Sequence, residues 1–273
     1  MPVISTNNAA NSALNYLNNN SNMESNELAK LASGSRIVQA SDDAAGLAIG
    51  TQLQAATAVY TQDEINVQQG TSILQTADGA MAQMSNILQR MMSLATEAAS
   101  GQVTNNQRSQ DINTEYSQLQ SEITSIASST RYAGQTVLTG SFLQAVKFLV
   151  GTTSSDTISV TVTSVTLNSL GATGSVTTAT AALSAISAIN SAINTVSQSR
   201  AKIGAYESRF NFSLQDIQTN VQNISSAQSV IMDADVASVK SQLSSTDVKT
   251  QAAVAALSQA SQLPSELLKL IQA

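Results

Sequence analysis

The chain has 273 residues, 42% hydrophobic but only 3% aromatic and 11% charged, with 12 basic against 18 acidic side chains. Its Lys and Arg residues are scattered singly, so no basic stripe exists to displace phosphate counterions, and nucleic-acid binding is not expected. With no Cys and no His, disulfide, thiolate and imidazole chemistry are excluded. No 18-residue apolar run is present to span a membrane. Residues 1–23 lack both a basic n-region and a continuous apolar stretch, so the expectation is a cytoplasmic protein or one exported without a cleaved signal peptide. The two prolines, Pro2 and Pro264, lie near the ends and leave about 260 residues free of the strongest helix breaker.

Residues 1–35 form an Asn-rich segment with a sparse apolar set: Val3, Ile4, Ala10, Leu14, Leu17, Leu28 and Leu31. The Leu14–Leu17 and Leu28–Leu31 pairs each suit one helix face. Between them, Asn18 to Asn22 is a poor helix-forming run, so the segment needs a partner helix. Gly34 to Ala40 reads as a break, and Ser41-Asp42-Asp43 as the N-cap of the next helix.

That next helix dominates the chain. Leu53, Ala56, Tyr60, Asp63, Val67, Gly70, Leu74, Ala77, Met81, Met84, Leu88, Met91, Ala95 and Ala98 alternate in steps of 3 and 4, a coiled-coil seam. An unbroken helix over it would span about 69 Å at 1.5 Å per residue. A compact globule of this length has a diameter of only about 48 Å, so an elongated rod is expected. Asp63 and Gly70 interrupt the seam and read as hinge or inter-subunit positions. Ala80, Ile87, Leu94 and the glycines of the helix form a second set that could face neighbouring subunits. Gly101 is placed as the C-cap.

After residues 101–106 a second seam runs through Ile112, Tyr116, Leu119, Ile123 and Ile126, antiparallel to the first. From Gly134 to Gly174 the period changes. Phe148-Leu149-Val150-Gly151, a turn, and alternating Ile158, Val160 and Val162, continued by Val165 and Leu167, predict a small β-hairpin lying on the helices. A third seam follows from Ile186 through Ile189, Ile193, Val196, Arg200, Ile203, Glu207, Phe210, Leu214, Ile217, Val221 and Ile224. Arg200 and Glu207, one heptad apart, either fix register or reach solvent. Asp233-Ala234-Asp235 forms a break mirroring the one at 34–42. A last helix carrying Val236, Val239, Leu243, Val248, Leu263, Leu267 and Leu270 is then expected to pair with the N-terminal segment.

The carboxylate clusters Asp42-Asp43, Asp63-Glu64 and Asp233/Asp235 do not converge on a cation. No glycine-rich phosphate loop or activated-serine constellation has supporting context. The chain is read as non-enzymatic, with no cofactor and no metal.

Several motifs in order resemble the bacterial flagellins. Val3-Ile4-Ser5-Thr6-Asn7 is similar to the family's opening. Leu31 to Ile37, with Ala40-Ser41-Asp42-Asp43-Ala44-Ala45-Gly46-Leu47-Ala48-Ile49, resembles its most distinctive signature. Gly70 to Ala80, Leu88-Gln89-Arg90, and Gln259 to Pro264 with Leu267-Leu268 continue the likeness. The resemblance implies a mainly α fold: a rod of long antiparallel coiled-coil helices, a small β-hairpin and paired terminal helices. Residues 1–40 and 236–273 would form the inner terminal pair. Residues 41–140 and 178–235 would form the rod, and 141–177 the hairpin with a short variable region, without the large outer domains of most members.

The implied function is that of a structural subunit of the extracellular flagellar filament, exported without a cleaved signal peptide. The alternatives are the hook–filament junction protein or a non-flagellar coiled-coil structural protein. Leu14, Leu17, Leu28, Leu31, Val239, Leu243, Leu263, Leu267 and Leu270 would pack in the filament core. Implied partners are further copies of the chain, the flagellar cap and hook-associated proteins, and an export chaperone gripping Leu257, Leu263, Leu267 and Leu268. Gln89, Arg90 and Leu94 match a stretch bound by the vertebrate toll-like flagellin receptor, with Glu122 as that stretch's acidic partner on the second helix. Met91-Met92-Ser93 departs from the receptor-bound pattern, and subunit packing is the other role for these positions.

Overall fold

A computed structural model describes the backbone of residues 7–139 and 146–272, and the side chains of 7–139 and 146–265. Val3, Ile4 and the side chains of Leu267, Leu268 and Leu270 fall outside the described residues. The fold is mainly α, with long helices and small antiparallel hairpins. It divides into two compact units, one of residues 1–55 with 223–273 and the other of residues 56–222. Helices α2 (Ala44–Ala99) and α5 (Ala179–Met232) each contribute residues to both.

The first unit is built on α1 (Asn8–Ser33) and α6 (Val236–Gln272), which pack against each other. The Asn18–Asn22 run does not interrupt α1: the partner helix and two good caps outweigh its low propensity. Asn7 caps the start through its side chain, and Gly34 ends the helix at φ 70°. Only glycine adopts that left-handed cap without cost. The two predicted breaks meet: Arg36 N donates to Met232 O at 2.6 Å, and Ala234 N to Gly34 O at 2.9 Å. The Arg36 guanidinium adds two bonds to Ile231 O. Asp43 caps α2 by accepting from Gly46 N at 2.8 Å. Asp42 folds back onto Gln39 N and Val38 N, which hold its carboxyl below the usual carboxylate range.

In the second unit, α2 and α5 pack with α3 (Asn113–Ser129) over one continuous core. The predicted seams supply it: Val67, Leu74, Met81, Met84, Leu88 and Met91 from α2, Tyr116 and Ile123 from α3, Ile189, Val196, Ile203, Phe210 and Ile217 from α5. A π-helical turn, Gln107–Ile112, leads into α3. Gly101 does not take a left-handed cap conformation. Instead, buried Arg108 closes the α2 terminus by donating to Ala98 O at 2.6 Å and Ser100 O at 2.5 Å.

Strands β1 (Arg131–Tyr132) and β2 (Gln135–Thr136) form a short hairpin that the periodicity did not foretell. The expected hairpin is β3 (Val146–Leu149) paired with β4 (Thr157–Val160). Val162 and Val165 are buried but lie beyond the strand, and Leu167 opens the one-turn helix α4 (Leu167–Leu170) under a Thr166 capping box. The loop beyond α4 is pinned to α3 where Gln120 Nε2 donates to Ala172 O and Gly174 O.

Candidate interaction surface

The α1–α6 pair carries the residues of greatest functional interest. On α1, Ala10, Ala13, Leu17, Asn20, Glu24, Glu27 and Leu31 are half-buried, again in steps of 3 and 4. The facing seam of α6 is Val239, Leu243, Thr246, Thr250, Ala253, Leu257 and Ala260, of which Val239, Thr246 and Ala260 are buried. The antiparallel sense follows from contacts at both ends: Asn7 meets Ala260, and Ser35 bridges Asp233.

The middle of this seam is polar. Thr250 Oγ1 donates to Glu24 Oε2 at 3.3 Å. Glu27 Oε1 is held by Lys30 at 3.3 Å, while its buried Oε2 has no partner among the described residues. Beside it lies a cavity of about 180 Å³ lined by Met23, Glu27, Gln242, Ser245, Thr246 and Lys249. The sequence reading, which followed leucines, did not single out this layer. The signal was the coincidence of polar residues at heptad positions on both helices.

Pairing leaves large apolar side chains uncovered. Leu14 is 43% exposed, Leu28 59% and Leu263 44%. Tyr16, Met23, Val236, Val248 and Val254 are exposed as well. Leu17, Leu31, Leu243 and Leu257 are half-buried and Val239 is buried, so those positions already serve the intramolecular pair. Such a surface on both helices of a pair is the usual mark of a protein–protein contact.

The second set of candidate residues separates. Gln89 and Glu122 are exposed, but Leu94 is 2% exposed and belongs to the core, so it presents no free side chain. Arg90 pairs with Glu115, not Glu122, at 2.7 Å, and this bond lowers the Glu115 carboxyl's pKa. Arg200 is likewise used within its own unit, forked onto Asp78 at 2.7 and 3.1 Å. Glu207 is half-buried, and burial followed by the nearby Asp78 raises its pKa. Asp63 and Gly70 are buried rather than presented to a neighbour.

Two family models match the chain: the bacterial flagellin N-terminal helical region over residues 4–143 and the bacterial flagellin C-terminal helical region over residues 186–271. A flagellin of Halalkalibacterium halodurans is 34% identical over 256 residues, covering 93% of both chains. A Bacillus subtilis flagellin is 31% identical over 302 residues, with 98% of this chain and 99% of that one covered. The flagellar filament 30.7 kDa core protein of Treponema maltophilum is 32% identical over 268 residues, covering 93% of each. Among solved structures, Bacillus cereus flagellin aligns at a TM-score of 0.51 and 28% identity, covering 60% of this chain and 94% of its own.

Proposed function

This chain belongs to the bacterial flagellin family, and we infer that it serves as a structural subunit of the flagellar filament. The observation that carries the reading is the exposed apolar set, Leu14, Leu28 and Leu263, on a helix pair that is itself thin and polar at its centre. Burying a leucine side chain contributes about 1.5–3 kcal/mol. Repeated contacts with neighbouring copies would therefore stabilise an assembly that a single pair cannot. A heterologous contact of this kind, repeated without closure, generates an open helical filament.

The partner is first of all the same chain. Order in the terminal helices would be completed when neighbours supply apolar contacts, so folding and assembly are coupled there. The subunit would act outside the cell, exported without a cleaved signal peptide, and would meet the flagellar cap and hook-associated proteins at the filament ends. Leu257, Leu263, Leu267 and Leu268 are the positions proposed for an export chaperone. Gln89, Arg90 and Glu122 are those proposed for the toll-like receptor or a subunit contact. Between the two family matches, the described residues 146–185 hold the β3–β4 hairpin, the one-turn helix α4, connecting loops and the first turns of α5, in keeping with a short, core-only member.

Electron microscopy of the purified full-length protein after seeding tests the reading. Helical filaments are expected from the full chain, and a folded but non-polymerising protein from a chain lacking residues 236–273. Filaments of normal form from the truncated chain would remove α6 from the mechanism.

A further inference from the structure

Pro264 lies inside α6. Proline has no N–H, so it cannot make the hydrogen bond that residue 264 would otherwise donate to the Ala260 carbonyl four positions earlier. Ala260 is buried, which makes an unpaired carbonyl there costly. The Asn7 side chain meets that need: its Nδ2 donates to Ala260 O at 2.7 Å. The same amide accepts through Oδ1 from Ala10 N at 3.0 Å, capping α1. One side chain thus starts one helix and fills the gap that a proline opens in the other.

Helix pairs whose seams repeat Ala and Leu slide easily, because one heptad resembles the next. Near this end, α1 offers Ala10, Ala13 and Leu17, and α6 offers Ala253, Leu257 and Ala260, so apolar matching discriminates weakly. A carbonyl freed by proline exists at one position of α6 only. We propose that Asn7 is a positioning residue, which sets the register of α1 on α6 by taking the Ala260 carbonyl that Pro264 frees. The Glu24–Thr250 contact holds the same register farther along the pair. A one-heptad slide would bring Asn7 against unbroken helix, whose carbonyls are already taken by helical N–H groups. Register is a property of this chain alone. Its consequence for assembly, that only the registered pair sets Leu263 of α6 at its proper distance from Leu14 and Leu28 of α1, rests on the filament function.

A double-mutant cycle on the full-length chain tests it. Asn7→Asp keeps a capping oxygen and removes the donor. Pro264→Ala restores a helical N–H for the Ala260 carbonyl. Hydrogen exchange of α1 amides would be followed in the free chain and in filaments. Asn7→Asp should lower protection about five- to tenfold beside the native proline, and less than about twofold in the Pro264→Ala background.

Register itself is read by disulfide trapping, clean here because the chain has no Cys. The Asn7 amide bonds both Ala10 N and Ala260 O, which puts Ala10 beside Ala260. Ala10→Cys should therefore trap Ala260→Cys in preference to Ala253→Cys, and Asn7→Asp should raise the share of the shifted bond several-fold. Equal losses of protection in both backgrounds, in both states, would overturn the proposal, as would an unchanged disulfide distribution. Absent filaments with an intact cycle in the free chain would instead count against the filament function and leave the register device standing.

Discussion

The Phe210 ring lies directly over the backbone of Gly70, its Cζ 3.0 Å from where a Cβ on that residue would stand. Phe148, from β3, closes the same spot, with Cδ1 at 3.2 Å, and the two rings meet edge to face with centroids 5.2 Å apart. Gly70 is therefore the floor on which hairpin and α5 share an aromatic pair. Gly70→Ala should gain up to about 1 kcal/mol in helix propensity and lose about 1–3 kcal/mol to overpacking. Thermal unfolding should show a net loss of about 1 kcal/mol, and a stabilised variant would show that the rings yield.

Asp63, at a seam position of the same helix, is 1% exposed, with Oδ2 lacking a partner among the described residues. Burial, and then the nearby Asp156 carboxylate, raise its pKa. The folded state thus favours the protonated acid more than the unfolded chain does. That contribution is fully present below the unfolded value near 3.8 and is lost as pH rises through the folded value. Asp63→Asn should stabilise the protein at neutral pH by about 1 kcal/mol or more, with the gain shrinking toward pH 4. Melting the two proteins across that range checks it; a gain independent of pH would assign the effect to packing.

Arg108 replaces the expected glycine cap at the end of α2, so its removal strips two carbonyls of charged donors in a buried setting. Arg108→Ala should cost about 3 kcal/mol, and Arg108→Lys nearly as much, because an ammonium lacks the planar fork that serves both oxygens. Denaturant unfolding measures this directly. A loss under about 1 kcal/mol for either variant would mean that water satisfies those oxygens equally well.

The long seams were legible because a period of 3.5 repeated over many heptads is hard to mistake. Met81, Leu88, Ile203 and Phe210 are all core, as their spacing required. The hairpin around Phe148 and Ile158 was legible from its alternation, but β1 and β2 are too short to show a period. Their turn instead depends on the positive φ of Ala133 and Gly134. Asp63 and Gly70 were read as hinge or inter-subunit positions, yet both are buried within the chain, since a polar residue or glycine in a seam can equally be covered by a neighbour's bulk. Partner choice was illegible too. Arg90 finds Glu115, one heptad before Glu122 on the same face of α3, a matter of axial register between helices that spacing within one helix does not encode.

The most direct test of assembly through the terminal pair is electron microscopy of seeded full-length protein carrying Leu14→Ser and Leu28→Ser. Leu14 and Leu28 are 43% and 59% exposed, so the free chain should stay folded, with thermal unfolding showing a loss of about 1.5–3 kcal/mol. Long filaments are expected from the parent protein and none, or only short fragments, from the variant. Filaments from the variant at the parent's yield and length would contradict a role for that face in assembly.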